Sequence, residues 1–424
     1  MPSRAPVCAW IAASALIVPA IAAAQDLRAR DVVELIVRES PRAAAIRADA
    51  AVVEREQHAR LALPNPSVSF SQEGAGFTQF LQIEQALPIT GVRQALGRAG
   101  VAAVAAAEAE RDSRLWQLRA DAARAVATMQ AAQQRADAAA AQVDAIDRLI
   151  GLLRIREREG EGSRFDRLRA EQELADVKRD AVNAAADLAA ARGAVGALLP
   201  PLRTVVRIAD PLSEPVAAPD VTALLARAHD GRAELRALSR VAERMRLEAD
   251  AASRARLPQP VVSGGMKRAD SGTTRETGGV FGVSVNVPLF DTGRREAARW
   301  TAEGQRAEAE RAAIEQAIRA EVTSAAEVYQ LRRAALTELT AQTAQTAKTA
   351  QTAQTAAPPP SPDKPDDLVA IAEVAYREGE ATLLTLLDAV RTSARTRARE
   401  IEMRLDAHLA ALALERAVGG VLWP

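Results

Sequence analysis

From about Val92 to about Glu157 the chain contains no proline and is rich in alanine, arginine, glutamate and leucine. Such a run predicts one continuous helix, which at 1.5 Å per residue would be about 100 Å long. That is far beyond the usual helix of a globular domain. A second long helix is expected from about Ser163 to Leu198. Between the two, the stretch REGEGSRFDRLRAEQEL, beginning at Arg158, places Gly160 and Gly162 where the pattern is otherwise helical. Glycine costs a helix interior about 1 kcal/mol against alanine, so a break is expected there. The same punctuation returns in REGEATLLTLLDAV, beginning at Arg377. A glycine followed by a Ser or Thr cap ends one helix and starts the next. Each stretch therefore reads as the reversal of a long helical hairpin.

Composition agrees with extended helices rather than a large conventional core. Only 3% of residues are aromatic, while alanine and charged residues dominate. The 55 basic and 55 acidic residues cancel, so no basic surface argues for nucleic acid as a partner. At the N-terminus Arg4, the apolar run VCAWIAASALIVPAIAAA and the small residues Ala22 and Ala24 before Gln25 predict a secretory signal peptide over residues 1–24. The alternative, a membrane anchor, is disfavoured because the apolar run is short and broken by Pro19. The single cysteine, Cys8, falls inside that signal, so an exported chain would carry neither a disulfide nor an N-terminal lipidated thiol.

The rest of the chain reads twice through one unit. A helix from about Asp31 to Leu63 stops at LPNP, because proline lacks the N–H and forces its predecessor into extended geometry. Val68 and Phe70 then alternate with Ser67, Ser69 and Ser71. After a turn at Gly74 to Gly76, Leu81, Ile83 and Leu87 are interleaved with Gln82 and Glu84. This period of two predicts a pair of strands over about 66–87, with a helical hairpin following over about 91–198. A proline-rich connector leads to a second copy: a helix from about Val221 to Arg256, LPQP answering LPNP, strands over about 260–289, and a hairpin over about 293–418. In the second copy VPLFDTGRRE answers LPITGVRQ, and Phe281, Val283, Val285 and Val287 alternate with Gly282, Ser284 and Asn286. The expected units are residues 25–210 and 211–424. The copies differ mainly at about 339–367, a low-complexity stretch of Ala, Gln and Thr with a period of three, followed by prolines. That period fits no helix, so the stretch is expected to be disordered or looped out. A tether for a partner is the functional alternative.

Two short strand pairs with one apolar face cannot stand with free edges in water or lipid. In a membrane every backbone polar group needs a partner, so spanning strands must close into a barrel. Four strands are too few, since the smallest membrane barrels use about eight. Membrane-spanning strands would therefore require an oligomer. The alternatives are a small soluble sheet capping a helical bundle and a periplasmic coiled-coil adaptor or scaffold. The duplicated strand pairs argue against both. Catalytic chemistry is not indicated. His58, His229 and His408 stand far apart, without metal-ligand spacing, and GAGFTQ is followed by no Lys-Ser/Thr that would make it a phosphate loop. No cofactor or metal is expected, and the chain is not expected to be an enzyme.

The duplicated helix-strand-strand-helix order, LPNPSVSF, LQIEQALPITGVRQALGRAG, VNVPLFDTGRREAAR and the motif G-x-x-(S/T)-x-x-(D/T)-x-L-x-A together resemble the TolC family of outer membrane efflux proteins, over essentially the whole chain after the signal. The motif falls on Gly160, Ser163, Asp166, Leu168 and Ala170, and again on Gly379, Thr382, Thr385, Leu387 and Ala389. LPNPSVSF and LPITGVRQ look most like the subgroup serving heavy-metal or cation efflux. The resemblance implies a mainly α fold with a transmembrane β-barrel part. A homotrimer would give four strands per chain to a twelve-stranded barrel in the outer membrane of a Gram-negative bacterium, continued by a helical barrel through the periplasm. It implies a passive exit duct working with a periplasmic adaptor and an inner membrane pump. It also implies that Gly160, Gly162, Ser163, Asp166, Leu168, Gly379, Thr382, Leu383 and Leu386 lie at the periplasmic tips and face the adaptor, with Arg164, Asp166 and Thr385 as entrance or gating residues. The second copy departs from the first in carrying Thr385 where the first has Asp166.

Overall fold

The computed structural model describes residues 27–423 apart from 75–77, 202, 213–215, 271 and 353–365. The expected signal peptide, Cys8 and the prolines of the low-complexity stretch lie outside the described residues. Two helices, α1 (Ala29–Glu39) and α2 (Pro41–Arg60), lead to strands β1 (Ser67–Glu73) and β2 (Thr78–Ala86) and then to α3 (Val92–Glu159) and α4 (Arg164–Gly196). The order recurs as α5 (Val221–Gly231), α6 (Ala233–Ser253), β3 (Pro260–Asp270), β4 (Arg275–Val285), α7 (Arg294–Thr352), α8 (Asp366–Arg377) and α9 (Leu383–Val418).

The 68 residues of α3 make it the spine of the molecule, with α2, α4, α6 and α9 packed along it. Its buried positions include Ala95, Ala99, Ala102, Ala103 and Ala106, and small side chains of this kind let helix axes approach closely. The apolar interior is divided into four separate clusters strung along the helices. One joins Val32 and Ile36 to Met129 and Val195, another surrounds Tyr329 and Leu414, and a third lies at the hairpin ends around Ile150 and Leu387. A chain this poor in aromatics distributes its core in slices rather than gathering it in one centre.

Three expectations from the sequence are corrected. The helix read from Asp31 to Leu63 breaks after Glu39, where Ser40 closes α1 through its N–H to Ile36 O at 3.1 Å and starts α2 by accepting from Ala43 N at 3.1 Å. Pro41 follows at the first helical position, where its missing N–H has no intrahelical partner to lose. A Ser cap of this kind stabilises a helix start by about 1 kcal/mol. The helix read from Val221 to Arg256 breaks in the same way at Arg232, whose N–H closes α5 on Ala228 O and whose guanidinium reaches Glu321 and the carbonyl of Arg416. The Ala-Gln-Thr stretch expected to leave the helix instead continues α7 to Thr352. Its many alanines favour helix and its first proline, Pro358, comes only later, so local propensity outweighs the three-residue repeat.

The connector after α4 is stitched to the spine rather than draped over it. Gln133 on α3 donates to Ile208 O and accepts from Ile208 N, both at 3.1 Å. Leu27 bridges Ile208 in parallel, and Ala29 N donates to Asp210 Oδ1 at 2.7 Å. On α9 nearby, burial holds the His408 imidazole below its usual pKa, with Asp210 opposing the shift. The unfolded chain therefore takes up this proton at higher pH than the folded one. The stability from the neutral imidazole is whole above the ordinary histidine range and is lost as pH falls through the folded value. We expect the unfolding temperature of the protein to fall between about pH 7.5 and about pH 5.5, and to fall less in His408→Gln, as measured by circular dichroism.

Candidate duct wall and hairpin tips

The four strands form one antiparallel sheet in the order β1-β2-β3-β4, so a meander from the first copy is joined edge to edge with one from the second. The register is continuous across all strands: Ser67 pairs with Glu84, Glu84 with Ser263 and Ser263 with Gly282. Every side chain is thereby assigned to a face. One face carries Val68, Phe70, Leu81, Ile83, Val262, Met266, Phe281, Val283 and Val285, all exposed. The opposite face carries Ser67, Ser69, Ser71, Gln82, Glu84, Ser263, Lys267 and Ser284. Phe281, the largest apolar group on the outer strand, is 89% accessible. Gly265 is required by the pairing itself, because a Cβ there would lie 2.1 Å from Leu81 O. The apolar and polar faces agree with the alternation read from the sequence.

At the far end of the helices the two hairpin turns have the same geometry. Gly160 and Gly379 end α3 and α8 with φ of 80° and 81°, the left-handed region in which glycine carries no Cβ penalty. Glu161 N and Gly162 N both donate to Arg156 O, and Glu380 N and Ala381 N both donate to Ala375 O. Ser163 then caps α4 by accepting from Phe165 N at 3.1 Å, and Thr382 caps α9 by accepting from Thr385 N at 3.3 Å. Thr385 is occupied in its own turn, its hydroxyl lying 3.0 Å from that of Thr382. Asp166 holds the equivalent place, half-buried in the first turn of α4, where its charge favours the helix N-terminus. Arg164 is exposed beside it.

Of the residues expected to face a partner, Gly160, Ser163, Leu168, Gly379 and Thr382 are exposed, and Gly162 is half-buried. Leu383 and Leu386 are not at the surface. They are 4% and 1% accessible, packed into the cluster that joins Ile150 and Leu153 of α3 to Ala372 of α8. Their i, i+3 spacing puts both on the helix face turned to this cluster. Besides Leu168, the tips present two apolar side chains that the motif does not include, Phe165 at 67% and Leu384 at 53%.

The structure adds residues that the sequence motif left out, because they join one hairpin to the other. The Arg156 guanidinium lies 5.2 Å from the Tyr376 ring centroid and donates to the carbonyls of Tyr376 and Arg377 at 3.5 and 3.4 Å. Arg391 Nε donates to Glu173 Oε1 at 2.7 Å, and a second bond joins Arg391 Nη2 to Glu173 Oε2. This pairing holds the Arg391 guanidinium above its ordinary pKa. Within the first hairpin, Arg167 reaches both Glu157 and Glu171, and the bonds to Arg167 and then Arg154 hold the Glu171 carboxyl below its usual range. Tyr376 is one of only two tyrosines in the sequence and directly precedes the second REGE, which is the signal that could have singled it out. Among the described residues no cluster of three or more His, Cys, Asp or Glu is placed to hold a metal ion, and no helix is long and apolar enough to cross a membrane.

A one-sided four-stranded sheet standing on two long, tip-paired helical hairpins is the architecture of outer membrane efflux channels. Residues 62–199, which hold β1, β2, α3 and α4, match the family described as outer membrane efflux protein. The match spans about a third of the chain. The chain is similar in fold to the MtrE outer membrane channel of Neisseria gonorrhoeae, with a TM-score of 0.69 at 17% identity over 93% of this chain and 89% of that one. It is likewise similar to the outer membrane protein VceC of Vibrio cholerae, with a TM-score of 0.65 at 18% identity over 93% and 97%. CusC gives 0.65 at 16% identity over 93% and 92%. A search by sequence among curated proteins gives no match.

Glu173 is buried while Arg391 is partly exposed, so removing the arginine alone strands a carboxylate. We expect Arg391→Met to destabilise the protein by about 1–3 kcal/mol. Adding Glu173→Gln to Arg391→Met should recover most of that loss, as read from denaturant midpoints. Equal losses for the single and double variants would mean that the unpaired Glu173 carboxylate costs nothing.

Proposed function

We propose that the chain is the outer membrane exit duct of a tripartite efflux system. Three copies join their sheets into a twelve-stranded barrel in the outer membrane of a Gram-negative bacterium, and the helical hairpins continue the duct into the periplasm. Residues 25–210 and 211–424 form the two repeats of each copy, behind a signal peptide at residues 1–24. The observation that carries this reading is the sheet itself. It exposes an apolar face over four strands, and both β1 and β4 are free edges. Lipid on the apolar face and neighbouring copies at the two edges satisfy both conditions at once.

Transport through such a duct is passive, with energy supplied at an inner membrane pump. The tips meet a periplasmic adaptor through the exposed residues around Gly160, Ser163, Asp166, Leu168, Gly379 and Thr382, together with Phe165 and Leu384. Arg164, Asp166 and Thr385 surround the entrance, with Thr385 holding its own turn. Support for heavy-metal cations as substrate comes from the likeness of LPNPSVSF and LPITGVRQ to that subgroup. The matched family is one of channels rather than enzymes.

Membrane fractionation tests the duct. The processed protein is expected in the outer membrane as a trimer that dissociates only on heating. Recovery as a freely soluble periplasmic protein would instead favour a coiled-coil scaffold. In the same cells, a cysteine placed at exposed Leu168 should crosslink to the adaptor, whereas one placed at buried Leu386 should not. Equal crosslinking at both positions would sink the assignment of the docking surface.

A further inference from the structure

We propose that Lys267 sets the charge selectivity of the membrane-spanning part of the duct, and that Phe80 positions it. This rests on the reading of the strands as a closed barrel with the serine-rich face inward. On that face the described residues of the four strands carry three carboxylates, Glu73, Glu84 and Glu276, and a single cation, Lys267. Arg268 and Arg275 fall on the apolar face by register. Glu73, Thr78, Ala269 and Glu276 share one row at the hairpin end of the sheet, and Glu84 lies in the row of Ser67, Ser263 and Gly282 toward the helices. Lys267 stands between these two acidic levels, in the row of Ser71, Phe80 and Gly278.

Phe80 pairs directly with Lys267 across β2 and β3, and the Lys267 ammonium lies 5.3 Å from the centroid of its ring. Around this pair the wall is low. Gly278 is opposite, Ser71 lies on the far side of Phe80, and Gly265, two residues back along β3, has no room for a side chain. Phe80 and Lys267 therefore stand in a row otherwise made of serine and glycine, between a row holding Gln82, Gly265 and Val280 and one holding Thr78 and Ala269. The choice of an aromatic partner matters electrically. An ion pair with Glu73 or Glu276 would cancel both charges, whereas a ring holds the ammonium through its quadrupole and leaves its full charge facing the water-filled lumen. In three copies this makes a collar of three cations within an otherwise acidic wall, which lowers the preference for cations that the carboxylates create.

The test is conductance of the full chain in planar bilayers, with potassium chloride held near about 0.1 M on the dilute side so that charges act over about 10 Å. Lys267→Gln, which removes three charges from the trimer, is expected to raise the cation-to-anion permeability ratio about fourfold, the combined size of three screened unit charges acting with opposite sign on the two ions across about 10 Å of water. Lys267→Glu should raise it further, and Lys267→Arg should leave it near the wild-type value. Phe80→Leu should change the ratio in the wild-type background and leave it unchanged in Lys267→Gln, because Phe80 acts only through the lysine. Channels of normal conductance whose ratio is the same in Lys267→Gln and wild type would overturn this inference while leaving the duct intact. A wild-type chain that forms no channels would overturn the duct, and this inference with it.

Discussion

Backbone hydrogen bonding at the sheet edges governs the rest of this molecule. Each strand pairs fully with its neighbours inside the chain, yet β1 and β4 end the sheet with a row of donors and acceptors turned outward. A face of Val68, Phe70, Ile83, Phe281 and Val283 lies open beside those edges. Water satisfies the edges but not the face, and lipid satisfies the face but not the edges. Closure with further copies in a membrane resolves both demands. In the proposed duct, the long helices hold a barrel wall assembled from several chains in common register outside the bilayer.

The helical part achieves this with little apolar material. Alanine lines much of α3, and the larger side chains gather into four clusters spaced along the bundle. Between clusters, directional contacts take over: Gln133 with the backbone of Ile208, Arg60 with the buried Glu248, Arg232 with Glu321, and Arg391 with Glu173. Such pairs add less stability than a packed core but fix which helix lies beside which. At the tips the same principle joins two hairpins that are far apart in sequence, through Arg156 on Tyr376 and Arg391 on Glu173. In the proposed duct, the surface offered to a partner is what these contacts leave uncovered.

Local features were legible in the sequence where their cause is local. LPNP and LPQP stop helices because proline has no N–H, and the period of two assigned each strand residue to its face. The glycines of both REGE stretches marked helix ends because φ near 80° carries no penalty only for glycine. The breaks at Ser40 and Arg232 were hidden because each lies between two segments that are both helical, so periodicity alone bridges them. The resemblance placed Leu383 and Leu386 among the docking residues, and apolar residues of a buried face and of a binding face look alike in sequence. Only their packing against α3 and α8 tells them apart.

The sequence by itself determined the elements, their duplicated order, the two-faced strands and the positions of the hairpin turns, since each follows from the chemistry of a few adjacent residues. The tertiary structure decided that β2 pairs with β3, which unites the two copies in one sheet and sets Lys267 against Phe80. It also decided that Glu173 faces Arg391, and which tip residues stay exposed. Those outcomes depend on contacts between residues up to about two hundred positions apart, and no local propensity encodes a partner at that separation.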